Sequence, residues 1–461
     1  MERTDFINQR KTWSGKAIIS HRKQYQEHYG FWGVFLFAFD LFRVLKKPFY
    51  KLSIHIKWKW LEISTMLKRI WIPVGIKKYA NWIDYLKTTK TDFTAYTEQP
   101  FVRKETDPKI YAFYLTQYHS IPENDFAHGK GFTEWTNVAA ATPQFVGHYQ
   151  PKIPYDLGFY NLLMPGVMER QAEIARTYGV YGFCFYYYWF SGRKLLEKPL
   201  EYFLHSNIDL HYHLCWATEN WSKKWDGGEN ELIVEQRLSV DDAENFFADL
   251  LPYISDSRYE CINGKPLLVV YRVNIFEKDV FKAFIDRLNS LAIDHGFNGL
   301  HILCTNAFSF YNPNEYGCSG LVEFPPHGIT HELYQVGRRR LSPRSNFKII
   351  NMSAYLKDKQ HLQPYNFPVF KTCFPNWDNT PRKLYTQGYS YLLEEKDFQL
   401  WLKDNILWTR SHHGPEEQLV YINAWNEWGE GAMLEPTTRF GYKHLASVKH
   451  MLESTRNLSS K

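Results

Sequence analysis

Two glutamates, Glu427 and Glu430, stand three residues apart in the stretch Asn426-Glu427-Trp428-Gly429-Glu430-Gly431. On a turn or the first turn of a helix, that spacing puts both carboxylates on one face, about 5–6 Å apart. Retaining glycosidases hold their two carboxyls about 5–5.5 Å apart, and inverting ones leave room for a water. Neighbouring carboxylates differ in proton affinity, so one can be an acid while the other is a base. Gly429 and Gly431 permit close approach or backbone angles closed to other residues. An exposed helix start would also carry acidic residues near its positive end, but Trp425, Asn426 and Trp428 flank this pair.

The pair follows the last of eight short apolar runs: Lys109–Tyr118, Val180–Tyr188, Asp209–Ala217, Lys265–Arg272, Leu300–Asn306, Gly320–Phe324, Val369–Pro375 and Gln418–Trp425. Between them lie helix candidates such as Met164–Tyr178, Asp241–Leu251, Phe281–His295 and Lys396–Ser411. In Phe281–His295 the apolar positions Phe281, Phe284, Ile285, Leu288 and Ala292 keep helical spacing. Near-continuous apolar strands alternating with helices mean a parallel sheet covered by helices. Eight such units predict an α/β fold, a (β/α)8 TIM barrel with long loops. The Gly-rich fingerprints of a dinucleotide fold are absent from the sequence.

Such a barrel carries its functional groups just past the C-terminal ends of its strands, where this sequence concentrates aromatic and polar residues. Strand 1 gives Tyr114, Gln117 and His119, followed by Glu134 and Trp135. Strand 2 gives Tyr187 and Trp189; strand 3 gives Trp216, Glu219, Asn220, Trp221 and Asp226. Strand 6 ends in Glu323 and His327, strand 7 in Trp377 and Asp378, and strand 8 in Asn426 and the glutamate pair. Any one of these has a plain packing explanation. Six strand ends with the same mixture describe a polyhydroxylated ligand, with rings for sugar faces and polar tips for hydroxyls.

The chain has 461 residues, of which 18% are aromatic, more than core packing usually requires. Residues 1–105 hold 20 Lys or Arg against 9 Asp or Glu, a net +11; residues 106–461 hold 35 against 40, a net −5. A mildly acidic main domain argues against nucleic acid as a partner. Two domains are expected, a basic, aromatic-rich and mainly helical extension over residues 1–105 and the barrel over residues 106–461. The extension predicts peripheral contact with an anionic membrane surface, or else a helical buttress with a solvated basic face. Met1–Gly30 lacks an apolar signal region, and the run Tyr29–Phe39 is too short to span a bilayer. Six cysteines without a C-x-x-C pair suggest a reducing compartment. A cytoplasmic location is expected, peripheral at the inner membrane.

The segments Gly131–Asn137, Trp216–Asp226, Glu323–Gly328, Trp377–Thr380 and Asn426–Pro436 resemble those of the glycoside hydrolase family 99-like, or WbsX-like, proteins. The resemblance runs from about Lys109 to Lys449 and leaves out the first 105 residues. It implies an endo-α-mannosidase-like, metal-independent and retaining mechanism without an enzymatic nucleophile. Glu427 would deprotonate the substrate's own 2-hydroxyl to form a 1,2-anhydro sugar. Glu430 would protonate the leaving oxygen and then activate water. The first strand, Phe113-Tyr114-Leu115-Thr116-Gln117-Tyr118-His119, departs from the hydrolytic enzymes. The WbsX-like branch is associated with bacterial surface-polysaccharide assembly and is often described as glycosyltransferases. The expected partner is an oligo- or polysaccharide, lipid-linked forms included; no cofactor and no metal is expected. The competing readings are a nucleotide-sugar glycosyltransferase, an inactive sugar-binding module, and a metal hydrolase built on His119, Glu219, Asp226 and His327.

Overall fold

A computed structural model describes residues 92–223, 228–310, 312–341, 345–383 and 386–458, together with Lys23 and Glu27. Most of the expected N-terminal extension therefore lies outside the described residues, as does Asp226.

Eight parallel strands form the barrel: β1 (Lys109–Tyr114), β2 (Gly182–Phe190), β3 (His211–Trp216), β4 (Lys265–Val270), β5 (His301–Thr305), β6 (Gly320–Val322), β7 (Val369–Phe370 and Thr372–Cys373) and β8 (Leu419–Ile422). Each coincides with one of the apolar runs, β2 reaching two residues past its expected end at Tyr188. Neighbours pair in sequence order, with Phe113 opposite Cys184 and Leu214 opposite Leu268. β7 is divided at Lys371. Its first piece pairs with β6 and its second with β8, and β8 pairs with β1, so the ring closes.

The larger helices among the described residues that follow strands include α1 (Val167–Thr177), α2 (Lys198–His205), α3 (Asp242–Ile254), α4 (Lys278–Asp294), α5 (Met352–Lys357), α6 (Glu395–His412) and α7 (Lys443–Ser454). After β5 a 3-10 turn, Pro313–Tyr316, takes the helix position. The buried face of α4 is Phe281, Phe284, Ile285, Leu288 and Ala292, the stripe read from the spacing. Each Phe, Ile or Leu of that stripe contributes about 1.5–3 kcal/mol on full burial.

Strand alternation sorts side chains between two layers. Phe113, Tyr186 and Tyr421 stack inside the ring, Phe113 lying 5.9 Å from Tyr186 and 5.5 Å from Tyr421. Their neighbours Tyr114 and Tyr187 face the helices. A four-stranded sheet of Gln335–Val336, Phe347–Asn351, Gly388–Leu392 and Trp377–Asp378 lies outside the barrel; the sequence reading did not foresee it, and it holds Trp377. Residues ahead of β1 are clipped on by backbone bonds: Thr94 N–H donates to Phe440 O at 3.0 Å and Phe101 N–H to Thr177 O at 2.9 Å. All six cysteines are unbonded, and five are buried as small apolar side chains. No helix among the described residues is long and apolar enough to cross a membrane.

Candidate active site

Past β8 the chain forms a two-residue strand, Asn426–Glu427, then a 3-10 turn, Trp428–Glu430. Asn426 anchors this segment to β1. Its Oδ1 accepts from Leu115 N–H at 2.7 Å and its Nδ2 donates to Leu115 O at 3.0 Å. Tyr118 spans the same turn, donating to Asn426 O at 2.6 Å and accepting from Trp428 N–H at 3.1 Å. From behind, Glu435 accepts from Trp428 Nε1 at 2.6 Å, Tyr160 hydroxyl at 2.8 Å and Gln171 Nε2 at 2.7 Å. Burial pushes the Glu435 carboxyl up to about 7 against those donors.

The turn delivers both glutamates to one guanidinium. Arg382 donates from Nη2 to Glu427 Oε2 and from Nη1 to Glu430 Oε1, each at 2.7 Å, and from Nε to Glu134 Oε1 at 2.8 Å. Trp377 Nε1 donates to Glu430 Oε2 at 3.2 Å. One cation thus faces three carboxylates in a site where Glu134 is 0% exposed, Glu427 7% and Glu430 26%. Three anions around one cation disfavour full ionisation, so the site tends to retain a proton. The shift falls on Glu427. Burial holds its carboxyl up, at about 8, Glu430 and Glu134 add to the shift, and Arg382 opposes it. Tyr186, Tyr188 and Tyr271 lie within electrostatic reach of the pair, Tyr186 and Tyr188 sensing Glu427 and Tyr271 sensing Glu430.

The two glycines of the turn have different reasons. A Cβ on Gly429 would sit 1.9 Å from Glu134 Oε1 and 2.8 Å from Arg382 Nε. Gly431 has φ +60° and would meet Lys152 Nζ at 2.0 Å.

With that geometry in place, the sequence matches the model of the family described as glycosyltransferase WbsX over residues 110–448. The chain belongs to the WbsX family. Two proteins named WxcX, both called uncharacterised, from two strains of Xanthomonas campestris pv. campestris, are 36% identical over 389 residues. The match covers 83% of this chain and 56% of theirs, so the chain spans little more than half the length of those relatives. Among solved structures, the GH99 endo-α-mannosidase from Bacteroides thetaiotaomicron in complex with BIS-TRIS-propane superposes with a TM-score of 0.45 at 11% identity, over 77% of this chain and 98% of that one. A glycoside hydrolase-like protein gives 0.48 at 14%, over 79% and 99%.

In this WbsX-family chain, Glu134, Trp377, Glu427 and Glu430 meet at one centre around Arg382. Gln117 sits beside it, donating to Tyr188 hydroxyl at 3.0 Å. Tyr188 lies edge-on to Trp221 at 5.2 Å, and Trp221 donates to Asn124 at 3.2 Å. Glu219 accepts from Arg272 at 3.1 Å, and His327 stands beside Phe308, rings 4.7 Å apart. Burial pushes the imidazoles of His119 and His327 down to about 4, leaving both neutral at pH 7. Asn220 caps a loop bond from Gln236 N–H at 2.6 Å. Among the described residues no three His, Cys, Asp or Glu side chains group as a metal would need.

Other expected ligand contacts face elsewhere. Tyr114 donates to Gln171 on α1, and Tyr187 packs on Phe246 and Tyr253 of α3. Trp189 donates to Asp249 of α3, and Trp216, fully buried, lies among Trp189, Phe246, Phe276 and Phe284. These four correct the expectation of a common aromatic rim, because they sit on the strand face that alternation turns toward the helices. Trp135 is also buried, donating to Tyr160 O at 2.7 Å and backing Trp428. Glu323 is bound to buried Lys371 at 2.7 Å, bracing β6 against the divided β7. Asp378 accepts from His148 at 2.5 Å, Gln150 at 2.8 Å and Thr380 hydroxyl at 2.7 Å. Burial alone would raise its carboxyl, but His148 and Lys152 hold it well below the usual carboxylate range.

The sequence reading missed Arg382 and Glu435. Charge balance was the signal for the first: buried carboxylates need a cation, and Arg382 lies two residues beyond the recognised segment Trp377–Thr380.

Proposed function

We propose that this enzyme cleaves or transfers a glycosidic bond in a bacterial surface polysaccharide or its lipid-linked precursor, with retention and through a 1,2-anhydro sugar. The observation that carries the reading is the shared guanidinium, which sets Glu427 and Glu430 side by side. Glu427 takes the proton of the 2-hydroxyl, whose oxygen attacks the anomeric carbon. The bond to the leaving oxygen breaks, and Glu430 protonates that oxygen. In the second half, Glu430 takes a proton from water or an acceptor hydroxyl, which opens the anhydro ring at the anomeric carbon. Glu427 returns its proton to the 2-oxygen. Water gives hydrolysis and a sugar hydroxyl gives transfer. The sugar in this reading is an α-mannoside or close relative, as in the mannosidase resemblance.

The family description favours a second reading, transfer from a nucleotide sugar. One experiment separates the two. The full chain is incubated with α-mannan and O-antigen fragments, with and without nucleotide sugars, and products are weighed by mass spectrometry. New fragments or re-spliced chains without nucleotide support the first reading. Products that appear only with a nucleotide sugar support the second. Glu427→Gln and Glu430→Gln should each lower turnover by about 10²-fold or more. A good leaving group should rescue Glu430→Gln and leave Glu427→Gln inactive. The basic residues 1–105 place this work at the cytoplasmic face of the membrane in our reading.

A further inference from the structure

A second cavity of about 540 Å³ lies behind the catalytic turn. Most charges on its wall are already paired. Asp92 is 3.6 Å from Lys443, Glu394 2.7 Å from Lys396 and Glu395 2.8 Å from His444, while Asp378 is bound by His148. Two lining cations, Lys152 and Arg439, have no carboxylate within ion-pair distance among the described residues; Asp378, bound by His148, acts on Lys152 only at longer range.

Both keep donors that the described residues leave unused. Lys152 is only 2% exposed, and its ammonium makes one long bond, 3.2 Å, to Gly431 O. An ammonium has three donors and a buried one needs partners; burial pushes this one down to about 8. The Arg439 guanidinium lies over the rings of Tyr149 and Phe440, at 4.9 and 5.2 Å. Its Nε and the Tyr149 hydroxyl are buried polar atoms without a hydrogen-bond partner among the described residues.

We propose that this cavity is an anion subsite, taking a carboxylate or phosphate group of the glycan between Lys152 and Arg439. Tyr149 hydroxyl supplies a further donor, and the Tyr149 and Phe440 rings offer faces to the sugar that bears the group. Lys152 touches the residue that follows Glu430. Asp378, on the same wall, follows the Trp377 that donates to Glu430. The bound anion therefore sits against the back of the catalytic turn, and the enzyme selects acidic glycans. Only the identity of the carrier as a glycan rests on the proposed function.

The test is calorimetric titration of the full chain with sodium glucuronate, inorganic phosphate and, as a neutral control, glucose, at fixed ionic strength. Glucuronate or phosphate should bind with millimolar affinity and glucose should not, and the better of the two anions identifies the group. Arg439→Ala and Lys152→Met should each weaken binding tenfold or more. Glu427→Gln should leave it unchanged, so a failed catalytic assignment would show in turnover and not here. Lys152 packs under Gly431, and should its variant fail to fold, half-buried Arg439 decides. The proposal is overturned by no anion binding in the millimolar range, or by binding that survives Arg439→Ala.

Discussion

Arg382 Nη2 donates to Glu427 Oε2 at 2.7 Å, and the same guanidinium reaches Glu430 through Nη1. A planar fork can serve two carboxylates in fixed geometry; a lysine ammonium is a point charge on a flexible stem. Arg382→Lys should therefore lower kcat/KM by about 10²-fold, a loss of positioning as well as of charge. Steady-state kinetics on whichever glycan proves active is the measurement, and wild-type kcat/KM in Arg382→Lys would remove Arg382 from the mechanism.

The pH dependence follows from Glu427. Its carboxyl is held at about 8 by burial, with Glu430 and Glu134 adding to the shift. A base works ionised, so kcat/KM, which reports the free enzyme, should rise as pH increases through about 8. Arg382 opposes the shift, and Arg382→Met should move the rising limb to higher pH. A kcat/KM that instead falls through this range would make Glu427 the proton donor and exchange the roles of the two glutamates.

Gly429 and Gly431 should fail differently. Gly429→Ala drives a methyl into Glu134 and Arg382, an overpacking cost of about 1–3 kcal/mol, and should abolish activity by displacing Arg382. Gly431→Ala adds a left-handed backbone, about 1–2 kcal/mol, to its clash with Lys152. Thermal melts should show both variants folded at 20 °C with lowered midpoints. Full activity in Gly429→Ala would show that the three-carboxylate arrangement does not matter to turnover.

How far these groups were legible in the sequence depends on local pattern. The strands showed because parallel barrel strands are buried on both faces and read as apolar runs. That same burial hid their orientation. β2 is buried at all nine positions, so nothing in its sequence says that Tyr186 faces the ring while Tyr187 faces α3. Glu427 and Glu430 showed because a three-residue spacing is local. Arg382 did not, since it lies 45 residues from Glu427 on a 3-10 turn with no periodicity of its own. Glu134 was picked out only for its strand end; its ion pair spans 248 residues.

Glu435 gives a stability test with a definite sign. Its carboxyl stands at about 7 in the fold against the 4.5 of an ordinary glutamate, raised by burial. The folded state thus binds the proton more tightly. Its stabilising effect is full below about 4.5 and is lost as pH rises through about 7. Glu435→Gln removes that slope and leaves an amide among the donors Trp428 Nε1, Tyr160 hydroxyl and Gln171 Nε2. Leaving one of those buried donors without an acceptor costs about 1–3 kcal/mol. Urea unfolding at pH 5 and pH 8 should show the wild type losing more stability than the variant between the two. Equal losses would place the Glu435 titration outside this range.

The basic extension calls for a membrane experiment with a carefully placed boundary. Residues 1–105 carry a net +11 and bulky aromatics such as Phe31, Trp32, Trp58 and Trp60. Each Lys or Arg near an anionic leaflet contributes roughly 1 kcal/mol, screened by salt, and inserted aromatic faces add an apolar part that salt leaves intact. A truncation starting at Glu105 would also cut the bonds of Thr94 to Phe440 and Phe101 to Thr177, so aggregation could be mistaken for loss of an anchor. A truncation starting at Lys90 keeps those bonds. In liposome co-sedimentation, the full chain should bind vesicles containing anionic lipid, more weakly as salt is added, and should ignore neutral vesicles. The Lys90 truncation should stay in the supernatant in every case. A full chain that remains in the supernatant with anionic vesicles at low salt would make the extension a buttress of the barrel, and the truncated enzyme would then be the one that aggregates.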